Sequence, residues 1–467
     1  MKRKCAVLLS MVITSVLANG QASRPVSAYL TTEDRSALLE RQPDAQQWQS
    51  TAAANLPVVT VDDAVSMQTI EGFGFALTGG SAQLIHRMSP TARHKLLVEL
   101  FGNSGDGIGV SYLRLTIGSS DMNDHVYTYD DMPSGEKDSK LKHFSLREDE
   151  ADVIPVMQEI LQVNPKLKIL ASPWSAPSWM KDNDNSKGGS LLPEFYPAYA
   201  KYFVRYIKGM QRHGITIAEL TIQNEPLNPK NTPSMVMESK DEATFIREAL
   251  GPALHGSHLN TKILAWDHNC NHPEYPLTVL NDPQAGPYVA GSAFHLYEGE
   301  ISALSEVHDA HPDKDIYFTE QMVIENRKGP TLPVANPVER IVIAATRNWS
   351  RTVLLWNLAA DTTFGPHTSN GGCPVCQGAI TLDGDQVQRN IAFYAIAQVS
   401  KFVPPASVRV ASTGGDDLGN VAFRTPNGQI ALLVTNNSKV DRTFVIAWHQ
   451  QSITAKLAAG SVATYLW

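Results

Sequence analysis

Two glutamates, Glu225 and Glu320, each close a largely apolar, β-prone run: Thr221-Ile222-Gln223-Asn224-Glu225-Pro226 and Ile316-Tyr317-Phe318-Thr319-Glu320-Gln321. An ionisable group is costly inside a buried strand, so each carboxylate must emerge where its strand leaves the core. Pro226 stops the first run at that point. Such a pair suits cleavage of a glycosidic bond, which needs an acid for the leaving oxygen and a second carboxylate for the oxocarbenium-like centre. If the second is a nucleophile, the two must lie about 5–5.5 Å apart and configuration is retained. Retention also asks for one ionised and one protonated carboxyl. One of the two is then expected to be ionised, with Arg114 as a candidate cation, and the other to hold a proton, its affinity raised by that neighbouring charge. The amide of Asn224 is placed to bond a sugar 2-hydroxyl.

Carboxylates at strand ends need a scaffold that gathers strand ends, and the chain reads as one. Strand-like runs occur at 70–77, 110–118, 167–175, 217–226, 262–268, 288–297, 315–322 and 351–358, eight in all. Between them lie segments of helical period: 90–101, 148–163, 197–214, 241–254, 337–349 and 386–402. The clearest is 197–214, where Tyr199, Tyr202, Phe203, Tyr206, Ile207 and Met210 recur at spacings of three and four and Gly214 stands at the C-cap position. This alternation predicts a parallel (β/α)8 TIM barrel, in which substrate sits over the carboxyl ends of the strands. The glutamates end the fourth and seventh strands, 95 residues apart. That is about 32 per βα unit, against about 31 for a typical barrel.

From Ser407 the texture changes to short alternating strands with Asn-Gly, Gly-Gly and Asn-Asn turns and no helix. This predicts a small antiparallel β domain, completed by a strand at Pro57–Val61 from the other end; residues 31–51 read as a polar surface segment. The expected divisions are 1–22 (signal peptide), 23–69 (N-terminal contribution to the β-sandwich), 70–402 (barrel) and 403–467 (β-sandwich).

Composition narrows the class. Of 467 residues, 43% are apolar and 18% charged, as in an ordinary globular protein, and 39 basic against 47 acidic residues give a net charge of −8. No basic run lies beyond Lys2-Arg3-Lys4, which argues against nucleic acid as a partner. That basic head, the apolar stretch Cys5–Ala18 and small residues around Gly20–Ser23 predict a cleaved signal and a secreted or periplasmic protein, with no transmembrane segment in the mature chain. Cys373 and Cys376 flank Pro374-Val375 in a Gly-rich loop and could close a disulfide, leaving Cys270 free. Asp267-His268-Asn269-Cys270-Asn271-His272 holds metal-ligand types at no regular spacing and reads as a rim loop; no metal or cofactor is expected.

Several stretches resemble glycoside hydrolase family 30, whose members include glucosylceramidases, β-xylosidases and endo-β-1,6-glucanases. They are Glu71-Gly72-Phe73-Gly74, Leu170–Pro177 with its Ala-Ser-Pro-Trp core, Gln223–Pro226, His295-Leu296-Tyr297, Phe318-Thr319-Glu320 and Trp356-Asn357-Leu358. The resemblance implies a barrel with a β-sandwich assembled from both chain ends, with Glu225 as acid/base and Glu320 as nucleophile of a retaining β-glycosidase. It also implies a hydroxyl-holding role for Asp121, for which a solvated loop carboxylate is the other reading. Trp174 and Trp356 would wall the sugar pocket, or else pack the barrel core. His295 and Tyr297, one strand period apart, would line it from one face. Glucosylceramidase-like action on a β-glucoside is the leading expectation, with endo-β-1,6-glucanase or β-xylosidase beside it and a catalytically inactive carbohydrate-binding protein further off. The long, Gly-rich loop Asn370–Cys373 departs from the lipid-cleaving members, so a soluble β-glucan stands as substrate beside a glycolipid.

Overall fold

The computed structural model describes residues 25–43, 46–50, 55–325, 332–415 and 417–467. The expected signal lies outside them. Eight parallel strands close into a barrel: β1 (Gly72–Leu77), β2 (Tyr112–Ile117), β3 (Lys168–Pro173), β4 (Glu219–Thr221), β5 (Lys262–Cys270), β6 (Val289–Gly299), β7 (Asp315–Glu320) and β8 (Ser350–Leu355). Each pairs with its sequence neighbours, and β8 closes on β1.

One apolar layer fills the barrel interior: Tyr112, Leu170, Leu264, Ala293, Tyr317 and Leu354, one residue from each of six strands. Strand side chains alternate faces, so the residues two positions further on point inward one step nearer the carboxyl end. On those strands they are Arg114, Ser172, His295, Thr319 and Trp356, with β5 the exception. There the register against β6 shifts between Trp266 and His268, and Trp266 and Asp267 both have positive φ, 78° and 74°. The extra residue turns Trp266 out against Tyr275, with ring centroids 4.3 Å apart, and brings Asp267 into the inward position.

The outer helices depart from the expected spans where the chain is locally interrupted. The tyrosine-rich helix is Tyr196–Arg212, as its period predicts. The 148–163 segment breaks at Asp152 into Arg147–Ala151 and Val153–Val163. Both 241–254 and 337–349 contain a wider turn, at Ile246–Leu250 and Val338–Ile343. The 386–402 segment begins as a strand, Gln386–Arg389, and becomes helical only over Ile391–Ser400. That strand joins Ile380–Asp383 and Ala359–Asp361 in a three-stranded sheet that the sequence reading lacked.

The second layered unit is one nine-stranded sheet drawn from both ends of the chain. Ser27–Thr31 pairs antiparallel with Val462–Leu466. Val58–Thr69, longer than the expected 57–61, lies between Val408–Gly414 and Arg442–Trp448. The chain ends in two further strands of this sheet, Gln451–Leu457 and Val462–Leu466. One apolar cluster gathers Ile453 and Tyr465 although their strands are far apart in the sheet order. A flat sheet would keep them separated, so the sheet folds over on itself as a sandwich. Trp48, from the segment expected to be polar surface, packs against that cluster.

Candidate active site

Asp267 is the centre to which the polar layer is tied. Its Oδ2 accepts from Arg114 Nη2 (2.7 Å), Thr221 Oγ1 (2.7 Å) and Ser172 Oγ (2.9 Å), and its Oδ1 from Thr319 Oγ1 (2.7 Å) and His295 Nε2 (3.1 Å). Burial alone would raise its carboxyl; the Arg114 charge and the bonds from His295 and Thr221 hold it well below the usual carboxylate range. The rim-loop reading of this stretch is therefore corrected: β5 continues to Cys270, and Asp267 is a buried anchor.

Arg114, fully buried, carries that anchorage to the glutamates. Nη1 meets Glu320 Oε2 at 2.6 Å, Nη2 also meets Asn224 Oδ1 at 2.7 Å, and the guanidinium lies 4.8 Å from the Trp174 ring centroid. Glu320, the last residue of β7, also accepts from the Tyr297 hydroxyl at 3.0 Å. Glu225 lies beyond the end of β4, where the chain turns inward with a φ of 47°. The strand is shorter than 217–226 because the chain leaves the ladder to make this turn. The Glu225 N–H donates to the Asp267 carbonyl (3.0 Å), its Oε1 faces His295 Nδ1 (3.2 Å) and its Oε2 accepts from Asn228 Nδ2 (2.7 Å).

His295 thus sits between Asp267 and Glu225 with a carboxylate oxygen at each ring nitrogen. Burial works against its charge, but Glu320, Asp267 and Glu225 push its pKa up to about 9, so both nitrogens carry hydrogens. An oxygen of Glu225, Nδ1 of His295 and an oxygen of Glu320 lie within 4.8 Å of one another. Arg114 and His295 already supply two cations to Asp267, Glu225 and Glu320.

The two glutamates differ in what surrounds their carboxyls. Burial raises both carboxyls. At Glu225 the bond and charge of His295 and the Asn228 amide outweigh it and hold the carboxyl below its usual range. At Glu320 burial, with the charges of Glu225 and Asp267, prevails over His295 and Arg114 and holds the carboxyl above the usual range. His295 thus bonds Glu225 directly, whereas Glu320 takes its donors from Arg114 and Tyr297.

Above this layer opens a cavity of about 430 Å³ lined by Asp121, Trp174, Glu225, Tyr297, Glu320 and Trp356 among others. Of the anticipated site residues, Asn224, His295 and Arg114 do not line it; they lie beneath, holding the glutamates. Trp174 and Trp356 stack with centroids 5.4 Å apart and are almost wholly buried, so they serve as wall and packing at once. Asp121 is buried, and its pKa is pushed up to about 8, by burial first and then by the charges of Glu320 and Glu225. The reading of Asp121 as a solvated carboxylate is thereby excluded. On the Glu225 side the lining includes Asn228, Lys230, Asn231, His268, Asn271 and His272, none of them anticipated. Cys373 and Cys376 are disulfide-bonded and line the cavity beside Met322; Cys270 is free and buried.

Comparison with known proteins places this geometry. The glycosyl hydrolase family 30 TIM-barrel domain matches residues 70–403, and the family 30 beta sandwich domain matches 407–465. The Aspergillus fumigatus endo-1,6-beta-D-glucanase neg1 is 34% identical over 405 residues, covering 81% of each chain. The Mus musculus lysosomal acid glucosylceramidase is 28% identical over 440 residues, 88% of this chain and 83% of that one. The solved endo-beta1,6-glucanase BT3312 superposes with a TM-score of 0.88 at 34% identity, covering 95% of this chain and 99% of its own.

Proposed function

Because the chain belongs to glycosyl hydrolase family 30, we propose that it is a retaining endo-β-1,6-glucanase. The observation that carries the reading is the pair Glu225 and Glu320, with oxygens within 4.8 Å of each other at the mouth of one barrel. Retaining enzymes hold their carboxyl groups about 5–5.5 Å apart and inverting enzymes about 6.5–9.5 Å, and the close approach of these oxygens favours the first. Glu320 attacks the anomeric carbon while Glu225 gives a proton to the departing C6 oxygen of the next glucose. The resulting glycosyl ester on Glu320 is then opened by a water that Glu225 deprotonates.

A retaining cycle needs one proton on the pair, and the groups around each carboxyl bear on where it sits. Arg114 and Tyr297 both donate to Glu320 and favour its anion, whereas a glycosidic oxygen can only accept and so favours the acid form of Glu225.

The β-1,6-glucan rather than the glycolipid is supported by the 34% identical glucanases and by the cavity itself. Beside Leu227, Pro229 and Met322 its lining holds amides, imidazoles and a lysine, groups that suit sugar hydroxyls. Glucosylceramide is the second reading, favoured by the mouse relative. The test is hydrolysis of linear β-1,6-glucan and of glucosylceramide side by side, with the first-formed anomer read by proton NMR. Release of β-configured oligosaccharides from the glucan is expected. Initial α products would overturn retention, and faster turnover of glucosylceramide would overturn the substrate.

A further inference from the structure

The bulge that turns Asp267 inward leaves the Trp266 N–H without a ladder partner, and a side chain from another element takes its place. Glu242, on the helix Ser239–Phe245, is fully buried and accepts from Trp266 N through Oε1 at 3.1 Å. Its Oε2 lies 2.9 Å from the Tyr275 hydroxyl. That hydroxyl has one hydrogen, and the Met237 carbonyl oxygen lies 2.8 Å away. A carbonyl can only accept, so both contacts of Tyr275 are hydrogen bonds only if the Glu242 carboxyl supplies the second hydrogen. Burial first, and then the Asp267 anion, disfavour a negative charge on Glu242.

We propose that Glu242 is a positioning residue: a neutral carboxylic acid that clamps the Trp266–Asp267 bulge and so sets the geometry of both glutamates. The bulge reaches Glu225 through the Asp267 carbonyl and Glu320 through the Asp267 carboxylate and Arg114. Two consecutive non-glycine residues at positive φ persist only when their surroundings over-determine them. The Glu242 bond to Trp266 is one such constraint. The inference rests on the pair being the catalytic site, but not on the choice of β-1,6-glucan.

Glutamine preserves both bonds, with its carbonyl toward Trp266 and its amide toward Tyr275, whereas leucine removes both at similar volume. With an aryl β-glucoside, Glu242→Gln should keep kcat within about threefold of wild type, and Glu242→Leu should lower kcat at least about tenfold with KM little changed. Nitrogen-15 spectra read the same clamp without turnover: the His295 imidazolium should persist in wild type and Glu242→Gln and be lost in Glu242→Leu. Should the leucine variant fail to fold, Tyr275→Phe removes one anchor without changing charge and is expected to lower kcat about fivefold. Full activity and an intact imidazolium in Glu242→Leu or Tyr275→Phe would overturn the proposal. So would a glutamine variant as impaired as the leucine one, since that would mean the ionised carboxylate is required. Wild-type enzyme that cleaves the aryl glucoside but not β-1,6-glucan would remove the substrate reading and leave this one standing.

Discussion

Glu225 and Glu320 differ in their donors rather than in their burial, and their roles should separate by stereochemistry. Glu320→Ala should abolish turnover of β-glucosides, and azide entering the vacated space should give the inverted glycosyl azide. Glu225→Ala should spare activated aryl glucosides, and azide should then give product of retained configuration; NMR of the azide adducts distinguishes the two. Because the carboxyls share a proton, the two limbs of a bell-shaped pH profile belong to the pair. The acidic limb reports a second proton entering the pair, and the alkaline limb the loss of the first. His295 adds a stability term of its own. Its pKa rises from 6.5 to about 9 on folding, so its contribution is fully present below pH about 6.5 and is lost as pH rises through about 9. Thermal melts from pH 6 to 10 should show wild type losing stability over that window, and His295→Gln, already less stable, losing less.

At the scale of elements, the barrel strands were legible because strands buried on both faces read as near-continuous apolar runs. The glutamates were legible because their charge ends such a run. Asp267 was not, because Asp-His-Asn looks like the end of a strand when it is a bulge inside one. Ser172 and Thr319 are hydroxyls that interrupt apolar runs, Ile169–Ala171 and Ile316–Phe318, and that interruption is the signal that marks their inward layer. Helix spans erred where a wider turn or a strand interrupts an unbroken apolar period, as at Gln386–Arg389. The 373–376 disulfide closes a loop of four residues, which constrains the unfolded chain by about 2 kcal/mol. Because both cysteines line the cavity, the Cys373→Ser/Cys376→Ser double variant should raise KM for glucan severalfold at little-changed kcat, checked by initial rates.

For the whole molecule, the sandwich is fastened to the barrel by polar ties as well as apolar contact. Arg347 Nη1 donates to the carbonyls of Ser412 (3.1 Å) and Asn420 (3.0 Å), and Thr464 Oγ1 to that of Gln398 (2.6 Å). A chain ending at residue 403 would strip Val58–Thr69 of both its neighbours, so it should be recovered largely in the insoluble fraction, judged by fractionating cell lysate. The same pairing has a consequence in time. Val58–Thr69 meets Val408–Gly414 only after 338 intervening residues have been made, a wait of roughly 17–70 s at about 5–20 residues per second. Through that interval a twelve-residue strand has neither partner, and Asp62 and Asp63 at its middle supply the kind of charge that keeps a bare edge from recruiting another chain. Those two aspartates are therefore expected to shield the nascent strand until the last strands arrive, when Asp63 meets His449 Nε2 at 2.7 Å.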